Sequence, residues 1–225
     1  MSSSSLIQEA KSVPHGRVLR YTFRERVCHA GVGTSYLYCL LTGLAFYTPY
    51  LYWLSTVLGS GATSRFWHPW VGLVFCAGIA WMYAMWSHEM AATPEDREWN
   101  KKVKYYVTHQ DNLLPPQGRF NAGQKLFYWV VFYASIVLLI TGVVMWFPEM
   151  IAGRAHWLLT ILVPLHAAAA LVSIGGFIIH VYMGVLMIPG SFKVIVLGHD
   201  DDDWAKQNHR LWFDKIKKLE NEPKK

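Results

Sequence analysis

The chain has 225 residues, 53 % of them hydrophobic and only 16 % charged, with 11 Trp, 12 Tyr and 11 Phe. A water-soluble domain carries about 25 % charged residues, so this composition excludes an ordinary soluble enzyme and leaves no length for a second soluble domain. The formal net charge of +6 raises nucleic acid as a partner, and the placement of the basic residues decides against it.

Residues 1–27 are polar and basic, with no apolar core before Arg26, so no cleavable signal peptide is expected. The first apolar block covers residues 28–47. After Pro49 comes LYWLSTVLG, too short to span a bilayer and expected to lie at its surface as an interfacial helix. The second block covers residues 67–87, followed by a charged loop over 88–121. The third covers 126–147 and ends at Pro148; the fourth, long, covers 157–188 and ends at Pro189 and Gly190. Each holds roughly the 20 apolar residues that a spanning helix needs. A polar tail, 191–225, carries an acidic run at Asp200–Asp203 and an amphipathic helix over about 204–219. The expected fold is all-α: a single four-helix transmembrane domain with a short interfacial helix and a C-terminal amphipathic helix. Cys28, Cys39 and Cys76 lie in or beside apolar blocks without CxxC spacing, and imply neither a disulfide framework nor a zinc site.

Lys and Arg set the orientation. Five fall in residues 1–27, six in 93–125 and eight in 191–225, while the other two loops hold only Arg65 and Arg154. By the positive-inside rule both termini and the middle loop are cytoplasmic. Trp53, Trp67, Trp70, Trp146 and Trp157 then cluster near the outer helix ends, where an aromatic belt belongs. Topology accounts for the basic residues, and no nucleic-acid partner is needed.

Of the ten histidines, His15, His88, His109, His156, His199 and His209 lie in or beside polar stretches and are expected to be solvated or interfacial. His29, His68, His166 and His180 lie inside apolar blocks, where ionisable residues are costly and mark function. They sort by depth into two pairs: His68 with His166 near the outer face, His29 with His180 near the inner face. Fourteen residues separate His166 from His180, about 21 Å along a helix and nearly one face. Two stacked haems, each held by two histidines, suit this supply of ligands. A zinc or di-iron site would need three or four ligands at one depth, usually with carboxylates. Gly31, Gly33, Gly72 and Ala167–Ala170 flank the histidines with small residues that allow close helix approach.

The stretches RVCHAGV (26–32), RFWHPWVG (65–72), GRFNAGQK (118–125), PLHAAAA (164–170), IIHVYMGVLMIPGS (178–191) and WAKQNHRLWFDKI (204–216) resemble the gamma subunit, a cytochrome b, of membrane-bound respiratory formate dehydrogenases. The resemblance implies an outer b haem on His68 and His166, an inner b haem on His29 and His180, and a bacterial inner-membrane location. It further implies a menaquinone site near the cytoplasmic face, at Asn121, Gly123 and Gln124 with Lys125 adjoining. Its partners would be an iron–sulfur beta subunit and a molybdenum- or tungsten-pterin alpha subunit. Taken without the resemblance, NAGQ reads only as a helix start with an Asn N-cap. The chain has no formate site, pterin motif or iron–sulfur cysteine set of its own; it would be an electron-transfer subunit. The nearest alternative is the same role for another dehydrogenase, such as a nickel–iron hydrogenase. A rival of another class is a haem-free anchor or small transporter that uses its histidines for protons. The chain departs from the resemblance in its longer N-terminus and in the acidic residues at Asp200–Asp203.

Overall fold

The structure is a computed structural model that describes residues 13–108, 110–151 and 157–221. His109, Arg154 and His156 lie outside the described residues. In chain order the elements are β1 (Arg17–Leu19), α1 (Phe23–Tyr47), a short 3-10 turn (Pro49–Leu51), α2 (Trp53–Val57), α3 (Gly61–Trp86), α4 (Pro94–Lys101) and α5 (Val103–Val107). Then follow α6 (Ala122–Trp146), α7 (Trp157–Val181), α8 (Ser191–Leu197), β2 (His199–Asp201), α9 (Asp202–Asn208) and α10 (Arg210–Asn221).

Caps place the helix starts earlier than hydrophobicity suggests. The Thr22 amide donates to Glu25 Oε2 at 2.7 Å and the Glu25 amide to Thr22 Oγ1 at 3.4 Å. This reciprocal capping box starts α1 at Phe23, inside what reads as a polar leader. Asn121 and Gln124 form the equivalent box before α6, at 3.0 and 2.9 Å, so that helix begins at Ala122. At the other end, α7 widens into a π-helical turn over Tyr182–Met187 and stops at Ile188, which is extended ahead of Pro189.

Among the described residues three segments are long and apolar enough to cross a membrane: Gly61–Glu89, Ala122–Trp146 and Trp157–Met187. Four were expected. Helix α1 has the length, at 25 residues, but beyond its charged first turn its apolar content is diluted by His29, Thr34, Ser35 and Thr42 and by glycines. Val74, Trp81, Ile140 and Val172 are exposed on the long helices. Apolar surface on that scale needs lipid or a partner, and with the three spans it marks a membrane protein.

The chain divides into two compact units. One is Val27–Met85 with Trp129–Ile178; the other comprises the described residues up to Arg26, Trp86–Tyr128 and those from Ile179 onward. In the first, the long helices touch through polar, aromatic and small-residue contacts. Tyr36 Oη meets Ser173 Oγ at 3.2 Å, Cys76 Sγ lies 3.7 Å from the Ser135 carbonyl, and Tyr83 stacks on Phe132 at 4.7 Å. A methyl group at Gly78 would lie 2.5 Å from Val32 Cγ2, so α1 and α3 approach closely only because that side chain is absent.

The chain is mostly helical, as expected, and the second unit adds one short two-stranded ladder that the sequence does not announce. β1 and β2 pair antiparallel, Arg17 opposite Asp201. The acidic run is consumed in this fold: Arg17 Nε bonds Asp201 at 3.0 Å, Lys193 Nζ bonds Asp200 at 3.0 Å and Lys217 Nζ bonds Asp202 at 3.2 Å. Gly198, at φ +89°, makes the turn into β2, and a Cβ there would meet the Tyr21 carbonyl oxygen at 2.6 Å. The expected amphipathic tail helix is two helices, α9 and α10, broken at His209.

Candidate functional site

His68, on α3, and His166, on α7, face one another in the first unit, with ring centroids 6.5 Å apart and planes tilted by 57°. Each ring is tied at Nδ1 to a buried threonine on a different helix. Thr42 Oγ1, on α1, lies 2.6 Å from His68 Nδ1, and Thr141 Oγ1, on α6, lies 2.7 Å from His166 Nδ1. The next residue is glycine in both cases. A Cβ at Gly43 would sit 3.7 Å from His68 Cε1, and one at Gly142 would sit 3.3 Å from His166 Cε1. Phe46 packs edge-on against His68 at 5.5 Å.

The two rings line a cavity of about 950 Å³ whose walls include Gly43, Gly72, Gly142, Ala167 and Ala170 and are otherwise mostly apolar. Arg65, one helical turn before His68, is the only Lys, Arg, Asp or Glu among the described residues that lines it. With Nδ1 tied to threonine, Nε2 is the nitrogen left on each ring for a metal. Two imidazoles on one metal, at about 2 Å per bond, place their centroids roughly 6 Å apart. The observed separation, the small-residue walls and a supply of two protein ligands fit a haem, whose macrocycle would supply the metal's remaining ligands. Among the described residues, no three His, Cys, Asp or Glu side chains gather as a bare-metal site.

The other expected pair is divided between the units. His29 lies on α1 in the first; His180 lies in the last turn of α7 in the second, stacked on Phe127 at 4.4 Å and 8°. Asn121, Gly123 and Gln124 belong to the same unit as His180. Asn121 and Gln124 cap each other's backbone, and Asn121 Nδ2 donates to Tyr106 Oη at 3.3 Å. A Cβ at Gly123 would lie 3.4 Å from the Trp99 ring, which itself packs on Tyr106 at 5.0 Å. Lys125 Nζ bonds Asp96 Oδ2 at 2.7 Å and the Ala91 carbonyl at 3.0 Å.

Several residues around these positions were not singled out by the sequence. Arg119, just before the NAGQ element, bonds Glu25 Oε1 at 2.8 Å, Glu89 at 3.2 Å and the Arg20 carbonyl. Trp86 Nε1 donates to the same Glu25 carboxylate at 2.6 Å. Arg20 is buried among the rings of Tyr21 and Trp204, each 5.2 Å away. His209, expected to be solvated, is buried at 3 % exposure, with Nδ1 2.8 Å from the Gly118 carbonyl. Burial and then the nearby Arg20 charge push its pKa well below the ordinary 6.5. Its sequence neighbours are polar, but the groups that cover it come from distant segments.

Residues 20–196 match the prokaryotic cytochrome b561 family, a range that includes all four histidines from the apolar blocks. The chain belongs to that family. Membership implies b-type haem and a role in electron transport. This cytochrome b561 family member is 31 % identical over 211 residues to the formate dehydrogenase cytochrome b556 subunit of Haemophilus influenzae, covering 92 % of this chain and 87 % of that one. It is 29 % identical over 203 residues to the nitrate-inducible formate dehydrogenase cytochrome b556(Fdn) subunit of Escherichia coli (strain K12), covering 90 % and 93 %. The formate dehydrogenase cytochrome b556(fdo) subunit of the same organism is 28 % identical over 201 residues, covering 89 % and 94 %.

Proposed function

We propose that this chain is the membrane-anchoring dihaem cytochrome b subunit of a formate dehydrogenase complex. It carries electrons from an iron–sulfur subunit on the outer side to menaquinone near the cytoplasmic face. The opposed pair His68 and His166, 6.5 Å apart across a cavity with small-residue walls, carries this reading. The near-complete overlap with formate dehydrogenase cytochrome b556 subunits supports the choice of complex.

In this reading the chain is one integral-membrane domain: a cytoplasmic segment (1–27), a four-helix transmembrane bundle (about 28–188) and a cytoplasmic tail (191–225). It sits in the bacterial inner membrane with both termini cytoplasmic. The distribution of Lys and Arg supports that orientation. His68 and His166 hold the outer haem; His29 and His180 hold the inner one. Bound there, the haems supply one-electron iron chemistry. The chain's own groups fix ligand geometry and exclude water. Arg65 is a charged group on the wall of the cavity that His68 and His166 line, and its guanidinium would pair with the carboxylates of a bound haem. Asn121, Gly123 and Gln124 form the quinone site, with Asn121 presenting its amide beside Tyr106. A molybdenum- or tungsten-pterin subunit completes the complex and oxidises formate; this chain supplies no dehydrogenase site. If the complex held a nickel-site subunit instead, the same conduit would serve a hydrogenase.

Reduced-minus-oxidised spectra and haem counts on the purified complex test the reading. The parent should show two b haems, and His166→Ala should lose the outer one while keeping much of the inner. A complex without a b-type α band, or His166→Ala with an unchanged haem count, overturns it. Metal analysis of the copurified subunits separates pterin-linked molybdenum or tungsten from nickel.

A further inference from the structure

We propose that Thr42 and Thr141 are positioning residues that lock His68 and His166 in the Nδ1–H tautomer, strengthen both as ligands, and thereby lower the outer haem's reduction potential. This inference rests on the ligand assignment above.

Hydrogen-bond accounting carries it. A threonine hydroxyl has one proton to give and lone pairs to receive with. Thr42 Oγ1 lies 2.8 Å from the Tyr38 carbonyl and 3.2 Å from the Cys39 carbonyl, and Thr141 Oγ1 lies 2.6 Å from the Val137 carbonyl. A carbonyl oxygen can only accept, so each hydroxyl proton is already committed to its own helix. At His68 Nδ1 (2.6 Å) and His166 Nδ1 (2.7 Å) the hydroxyl oxygen is therefore the acceptor and the imidazole is the donor. The Nδ1–H tautomer places the free lone pair on Nε2, where a metal needs it.

The arrangement occurs twice with the same parts. A Thr–Gly step on α1 (Thr42, Gly43) serves a histidine on α3, and a Thr–Gly step on α6 (Thr141, Gly142) serves a histidine on α7. Threonine provides the acceptor, and the glycine that follows lies beside Cε1, where at Gly142 a side chain would crowd the ring. Both threonines are almost fully buried, at 0 and 2 % exposure, so water does not replace a lost hydroxyl. Hydrogen bonding from the far nitrogen increases imidazole basicity and is an established lever on metal sites. A more basic imidazole favours the ferric state, which sets the sign: removing the acceptor raises the potential.

Redox titration and low-temperature EPR of the purified complex test this, reading the haem that His166→Ala removes. Thr42→Val and Thr141→Val should each raise that haem's midpoint potential and alter its g-values, with the other haem unmoved. Thr42→Ser and Thr141→Ser, which keep the hydroxyl, should stay near the parent. Valine variants with full haem content and unchanged potential and g-values overturn the proposal. If the valine variants lose the haem, the serine variants decide: retention at the parent potential supports a hydroxyl role, and loss in serine as well overturns it. A haem count unchanged by His166→Ala fails the ligand assignment itself, a separate result from any of these.

Discussion

A methyl group added at Gly142 would meet His166 Cε1 at 3.3 Å, whereas one at Gly43 would meet His68 Cε1 at an ordinary 3.7 Å. The two glycines therefore differ in tolerance. If His68 and His166 hold a haem as proposed, Gly142→Val should remove it, while Gly43→Ala should keep it, as read by pyridine haemochrome counts. Retention of both haems in Gly142→Val would show that the ring can move aside. His209 makes a pH-dependent contribution at the same scale. Its folded pKa lies well below 6.5, so the unfolded chain takes up a proton first as pH falls. Stability should drop below about pH 6.5, by at most about 1.4 kcal/mol per pH unit. His209→Gln should flatten that slope in thermal melts. The sequence exposed His68 and His166 because ionisable residues in apolar runs are rare. It hid Thr42 and Thr141, since a threonine in a helix ordinarily bonds its own i−4 carbonyl, and these do so as well. Only the distance to a ring on another helix reveals the second bond.

Helix starts and charged clusters decide matters at the scale of elements. Arg119 holds Glu25 and Glu89 together from sequence separations of 94 and 30 residues, beyond the reach of any local pattern. Removing one partner of a buried ion pair costs about 3–5 kcal/mol. Arg119→Met should therefore shift an SDS or urea unfolding curve by an amount of that order, whereas removing the exposed Lys101–Glu98 pair should leave the curve essentially where it is, because solvent screens it. The capping box at Asn121 was legible as an N-cap, but its bond to Tyr106 was not. Asn121→Asp keeps an acceptor for the Gln124 amide and loses the N–H donated to Tyr106. We expect it to preserve stability and impair quinone reduction. Asn121→Ala should impair both, losing about 1 kcal/mol with the cap. Unchanged quinone kinetics in both variants would exclude Asn121 from the site.

At the scale of the molecule, hydrophobic blocks and basic loops made the membrane class legible, because lipid constrains composition more tightly than water does. Two features escaped. The pairing of β1 with β2 joins segments about 180 residues apart through an acidic run that looked anomalous in isolation. The polar first turn of α1 reads as part of the N-terminal cytoplasmic segment until its cap is seen. Orientation has a direct test in intact cells with a membrane-impermeant thiol reagent. Ser60→Cys, in the loop assigned outside, should label above the background of the native cysteines, and Lys102→Cys should not. The reverse pattern would invert the topology.

The repeated Thr–Gly step also bears on biogenesis. Each candidate outer ligand finds its hydroxyl partner on the preceding long helix, 26 residues away for His68 and 25 for His166. Each half of the site is therefore complete within one helical hairpin, and the ribosome can deliver it as a finished piece. A cofactor held by His68 and His166 would then join two prepared hairpins and would not first have to organise either one.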